Sequence, residues 1–137
     1  MENYQKIVAT GLLVHNQQIL IIKRHDGEKF LPGQYELAGG KVDFGEDPEV
    51  ALIREYKEET SLDIKVEKPI RTFSYISDNN HRHTVEIVYL VTLLDNSAAI
   101  NLGKDHTDYR WIKKSEASQY FAADDQVMQT IQQLDLE

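Results

Sequence analysis

Residues 39–62 read GGKVDFGEDPEVALIREYKEETSL, and at their centre stands the acidic turn Arg54-Glu55-Tyr56-Lys57-Glu58-Glu59. On a helix, residues three and four apart are neighbours, so Arg54, Glu55, Glu58 and Glu59 share one face. Glu55 and Glu59 stand at i, i+4 with like charge, which costs an exposed helix about 0.2–0.5 kcal/mol, and Glu58 adds to the repulsion. Arg54 offsets part of it. Hard oxygen ligands converging from one helical face are also what Mg²⁺ or Mn²⁺ requires, with water and substrate phosphate completing an octahedron. Taken alone, such an E/K-rich turn is a solvated face. The flanking residues change that reading.

Gly40, five residues, Glu46, seven residues and then Arg54-Glu55-x-x-Glu58-Glu59 closely resemble the Nudix box. Six fixed positions at about 5–7% usage each make a chance match in one register on the order of one in ten million. Two positions depart from the box: Tyr56 stands in place of an aliphatic residue and Ser61 in place of glycine. Just outside it, Ala38 replaces a proline that commonly precedes the paired glycines. Tyr56 should point with Leu52 and Ile53 away from the carboxylates, so an aromatic there is a matter of packing. Ser61 should end the helix in a slightly strained or altered way, since a left-handed residue without glycine costs about 1–2 kcal/mol.

The resemblance implies an α/β protein of the Nudix fold, an α/β/α sandwich with a mixed sheet. It also implies Mg²⁺ or Mn²⁺ held by Glu55, Glu58, Glu59 and the backbone carbonyl of Gly40. Arg54 orients a glutamate, and Arg54, Glu55 and Glu58 form the catalytic set. Which glutamate serves as base varies among relatives. Glu46 divides between favouring the helix N-terminus and supporting the metal.

The 137 residues, 41% of them hydrophobic, suit one buried core and leave no room for two ordinary domains, so residues 1–137 are expected to form a single domain. A formal charge of −8 argues against long nucleic acid as a partner and makes a divalent cation necessary for a polyphosphate ligand. The absence of cysteine excludes disulfides, thiolate zinc sites and a thiol nucleophile. The N-terminal stretch MENYQKIVATGLLVHNQQILIIKR has neither the basic start of a signal peptide nor an unbroken apolar span. A soluble, cytoplasmic protein without a membrane partner is therefore expected, with a homodimer left open.

Two β-rich runs, residues 6–14 and 18–23, flank a His-Asn-Gln turn and predict a hairpin. Asp26-Gly27 and Pro32-Gly33 mark residues 25–34 as a loop leading to a short strand at 35–37. Asp47 as N-cap and Pro48 at the first helical position open a helix that should run to about Thr60. Strands follow at 63–67, 70–76, 84–94 and 109–112, with Ser77-Asp78-Asn79-Asn80 as a turn. Helices at 115–121 and 125–134 close the chain. There is no internal repeat.

Hydrolysing a phosphoanhydride brings water to a phosphorus surrounded by negative oxygens, so cations and a nearby base are needed. The expected substrate is a small nucleotide, a nucleoside diphosphate linked to X. A (deoxy)nucleoside triphosphate cleaved to monophosphate and pyrophosphate is the leading case. The alternatives are a nucleotide sugar, a dinucleoside polyphosphate, a capped RNA end, or a nucleotide-binding module without catalysis. Arg24 and Lys41 are the substrate-binding candidates, for phosphate oxygens. Arg71, Arg82 and His83 are candidates for base or sugar. His81 and His83 alternate along one strand like a metal pair but lack partners of suitable spacing. Asp105 and Asp108 lie where relatives add a carboxylate from outside the box.

Overall fold

Strand β1 (Tyr4–His15) belongs to both halves of the sheet. In the computed structural model, which describes residues 2–27 and 33–136, it runs parallel to β6 (Arg82–Leu93) from Tyr4↔Arg82 to Leu13↔Val91. Its other edge pairs antiparallel with β4 (Ala38–Lys41), from Val8↔Lys41 to Gly11↔Ala38. Its last residues pair with β2 (Gln18–Arg24) through a turn in which Asn16 and Gln17 both have positive φ, 52° and 65°. That is the primed geometry whose twist matches a two-residue hairpin. β3 (Tyr35–Glu36) and β7 (His106–Ile112) flank β2, and β5 (Ile64–Ser77) flanks β6. One parallel pairing among antiparallel ones makes the sheet mixed.

Helices cover both faces, so β2 can be apolar on both. Leu20 and Ile22 join Ala9, Leu13, Leu62 and Val91 beneath Leu52 and Tyr56 of α1 (Pro48–Thr60). Ile19 and Ile21 join Leu12, Val88 and Ile112 on the other side, beneath a 3₁₀ helix (Lys114–Gln119) and α2 (Gln126–Gln132). A strand buried on both faces reads as a continuous apolar run, which is what residues 19–22 are. Helix α1 starts as expected: the Asp47 side chain accepts from the Glu49 N–H, and Pro48 follows.

Several boundaries differ from the sequence reading. The two strands expected at 63–67 and 70–76 are one, β5, carried past Pro69 by register irregularities at Val66/Lys68 and Pro69/Arg71. Its free outer edge tolerates a residue with no N–H to give. The short strand expected at 35–37 is β3, Tyr35–Glu36, and the glycine pair after it lies in a paired strand of its own, β4. The first closing helix is 3₁₀, and the second is shorter than residues 125–134. Ile53, expected to pack with Leu52 and Tyr56, is 42% exposed. Part of the loop expected at 25–34, residues 28–32, lies outside the described residues.

Candidate active site

Glu59 of α1 reaches the opposite side of the sheet beside the glycines of β4. A Cβ on Gly40 would overlap the Glu55 carboxylate, and one on Gly39, at φ 150°, would overlap the Ala9 carbonyl. Both positions require hydrogen as the side chain. Through this gap the Gly39 N–H donates to Glu59 Oε1 at 2.8 Å.

Arg54 organises the outer acids. Its Nε and Nη2 donate to the two oxygens of Glu46, each at 2.9 Å, a bidentate pair that fixes the plane of the guanidinium. Nη1 then donates to Glu55 at 2.9 Å and to Glu58 at 3.4 Å, and Nη2 to the Lys41 carbonyl at 3.2 Å. Arg54 and the Asp43 N–H together pull the Glu46 carboxyl down to about 2. Glu46 therefore has a third role that the sequence reading did not weigh: it holds the arginine. Burial raises the Glu55 carboxyl above its ordinary value, against the lowering effect of Arg54.

The three glutamates expected to crowd one patch divide into two groups. Glu58 is 57% exposed beside Arg54, whereas Glu59 is turned inward. Burial pushes the Glu59 carboxyl up to about 8, opposed by its bond from Gly39. Its second oxygen lies 3.9 Å from Nδ1 of His106, a buried ring whose Nε2 is 2.7 Å from Glu36. Glu36 also accepts from Arg24 at 3.2 Å. One ligand atom each from Glu36, Glu59 and His106 falls within 4.8 Å of the others, and His106 Nδ1 has no hydrogen-bond partner. Hard carboxylate oxygens around an orphaned imidazole nitrogen fit a divalent cation.

On the far side of the sheet from α1, a cleft of about 590 Å³ runs between β1, β5 and β6 and the head of α2. Both substrate candidates from the sequence, Arg24 and Lys41, line it, and Lys6 and Arg82 join them. Burial, followed by the neighbouring charges of Arg82, Lys41 and Arg24, lowers the Lys6 ammonium. Four cations thus line one cleft, three of them acting on Lys6.

Other candidates lie elsewhere. Arg71 donates to Gln126 and Gln129, both at 2.7 Å, and clamps α2 to the sheet. His81 precedes β6 and contacts Asn3, while His83 contacts Gln5, so they do not form a pair. Asp108 accepts from the Tyr35 hydroxyl at 2.8 Å, and Asp105 gives its carbonyl to the His25 N–H. The residue between them, His106, is the one that meets Glu59. Lys23 and Arg24 of β2 face Asp108 and His106 respectively, so Thr107 is an extra, bulged residue that breaks the alternation of β7. Glu36, Glu86 and Lys6 were likewise missed; each is a lone charge in an apolar strand, the only signal the sequence offers for them.

A family model for the NUDIX domain matches residues 5–131. The chain is 27% identical over 124 residues to the nucleoside triphosphatase NudI of Escherichia fergusonii, covering 85% of this chain and 87% of that protein. Its fold matches the MutT protein from Methanosarcina mazei Go1 with a TM-score of 0.82 at 18% identity, over 97% of this chain and 94% of that one. A MutT NUDIX hydrolase from Burkholderia pseudomallei matches at 0.75 and 23%, over 96% and 99% of the two chains. The architecture is therefore the Nudix fold, and the chain belongs to the Nudix family of hydrolases.

Proposed function

We propose that the protein hydrolyses a phosphoanhydride bond in a small nucleotide, with a (deoxy)nucleoside triphosphate as the leading substrate and a monophosphate and pyrophosphate as products. The observation that carries this reading is that Glu59 and the cations Lys6, Arg24, Lys41 and Arg82 line one cleft, with the Arg54-held Glu55 close enough to act on Lys6. The cations attract a polyphosphate; without a counter-charge the acids would repel it. The likeness to proteins named nucleoside triphosphatase supports the same substrate class.

In this reading Glu55, Glu58, Glu59 and the carbonyl of Gly40 would hold Mg²⁺ or Mn²⁺, with Glu36 and the orphaned His106 Nδ1 beside Glu59 as further donors. When bound, such an ion would neutralise phosphate charge and polarise the attacking water. Arg54, itself held by Glu46, keeps Glu55 and Glu58 in place. One of those two acids takes the proton of the water. Arg24 and Lys41 bind phosphate oxygens. Water, activated beside the acids, is the nucleophile in this reading, and no covalent intermediate forms; the chain, without cysteine, has no thiol to compete with it.

The test has three parts. Turnover of the best nucleotide stops in chelator and returns with Mg²⁺ or Mn²⁺. Glu58→Gln and Glu59→Gln each lower kcat by at least about tenfold while the melting temperature without added metal holds, since both changes keep shape and burial already favours the uncharged form of Glu59 when no metal is bound. In ¹⁸O-water, label enters one product only. Stepwise release of inorganic phosphate, turnover in chelator, or wild-type rates in both variants would overturn the assignment.

A further inference from the structure

Glu86 is a half-buried carboxylate on the cleft floor, away from the acids of α1. Across the sheet it stands in the row Val8–Glu86–Phe73, with Lys6–Thr84–Tyr75 as the next row on the same face. Lys41 of the glycine strand pairs with Val8, so Glu86 lies two strands, about 10 Å, from the phosphate end of the cleft. A nucleotide whose phosphates sit at Gly40 and Lys41 places its base over Glu86 and Phe73. The rings of Phe73 and Tyr75 stack with centroids 6.2 Å apart and planes at 28°, an aromatic shelf on which a base can stack.

Glu86 Oε2 accepts from the Thr10 hydroxyl at 2.9 Å. Among the described residues nothing else hydrogen-bonds to this carboxyl. The charged groups that act on it are Glu36 and Asp125, both acidic, and burial pushes it up to about 7. One hydroxyl contact does not offset burying a carboxyl that forms no ion pair among the described residues, and such a group in a cleft marks a binding function. The opposite wall carries Asp124 and Asp125, so this part of the cleft is rich in acceptors, and Lys6, one row away, forms no ion pair with Glu86 among the described residues. An exocyclic amino group brings two N–H donors and no carbonyl oxygen to face those acids. An imide edge brings one donor flanked by oxygens that the acids repel.

Building on the hydrolase reading, we infer that Glu86 is a specificity-determining residue that accepts a hydrogen bond from the exocyclic amino group of the base. The protein therefore selects cytosine or adenine nucleotides over their carbonyl counterparts, uracil and hypoxanthine.

The experiment compares matched pairs, CTP with UTP and ATP with ITP, in the wild type, Glu86→Gln and Glu86→Leu. For whichever ring size binds, the wild type favours the amino member in kcat/KM by at least about tenfold. Glu86→Leu brings that ratio close to one. Glu86→Gln, which keeps shape and can present its amide N–H instead, shifts preference toward the carbonyl member. Calorimetric binding of CMP against UMP, and of AMP against IMP, reads the same ratio without turnover. If no nucleotide is hydrolysed but the binding ratio and its loss in Glu86→Leu hold, the hydrolase reading falls and this one stands. Turnover with an amino-to-carbonyl ratio that both variants leave unchanged, or a wild type that favours the carbonyl member, overturns this inference alone.

Discussion

Glu86 also makes a stability prediction. Its carboxyl titrates near its ordinary 4.5 in the unfolded chain and near 7 in the folded one, so between those values the native state holds more proton than the unfolded state. Stability then falls as pH rises through that window and levels off above about 7. The full cost is roughly 2–3 kcal/mol. Glu86→Gln removes this cost, so the variant gains on the wild type by that order between pH 4.5 and 8, measured as urea-unfolding free energy without added metal. An unchanged difference across the range would place the carboxyl in water. Single residues were unevenly legible in the sequence. Tyr56 read correctly as a packing choice, but its accommodation did not: a Cβ on Gly11 would lie 2.9 Å from the tyrosine ring, a fit between positions 45 residues apart. His106 was hidden by the bulge at Thr107, which strict alternation cannot foresee.

At the level of elements, α1 was the most legible because its limits are set by local chemistry. Asp47-Pro48 opens it, and Ser61 closes it with φ 67° and ψ 10°, its N–H returning to the Lys57 carbonyl. This is the left-handed exit for which the box ordinarily has glycine. The serine hydroxyl donates to the Asn101 carbonyl at 2.9 Å, a partial compensation that glycine lacks. Ser61→Ala loses that bond and keeps the backbone strain; Ser61→Gly loses the bond and relieves it. The glycine variant should therefore be more stable than the alanine variant by about 1 kcal/mol in thermal or urea unfolding. Equal stabilities would mean the exit is unstrained. β5 was less legible because its pairing continues through Lys68 and Pro69, residues that as a local pattern end a strand. Only the neighbouring β6, supplying partners on one side, keeps it whole. The 3₁₀ helix and β4 likewise owe their form to what lies against them.

For the whole molecule, the box foretold both the fold family and the position of the acids along the chain, while the cleft was not readable, because it is assembled from cross-strand rows. Lys6, Thr84 and Tyr75 are neighbours only once three strands are in register. That assembly sets an order in time. The parallel pairing of β1 with β6 joins residues as distant as Tyr4 and Arg82, and no hairpin shortens the search for it. Such pairings form slowly, since the loop entropy is spent before the contacts repay it. Helix α1 can flicker early, but Glu59 finds His106 only after β7 has docked on β2. Trp111, the sole tryptophan, sits on β7 opposite Leu20, its ring 6.0 Å from that of His15, and so reports that docking. In stopped-flow refolding, the capacity to bind Mn²⁺ should appear together with the Trp111 fluorescence change and after the far-UV helix signal. Mn²⁺ binding that preceded the tryptophan change would mean the α1 acids suffice alone. A chain interrupted before β7 is thus expected to keep every box residue, Arg54 and the three glutamates on one helix among them, and still have no enclosed site, because the motif is contiguous along the chain while the active site waits for the last strand to dock.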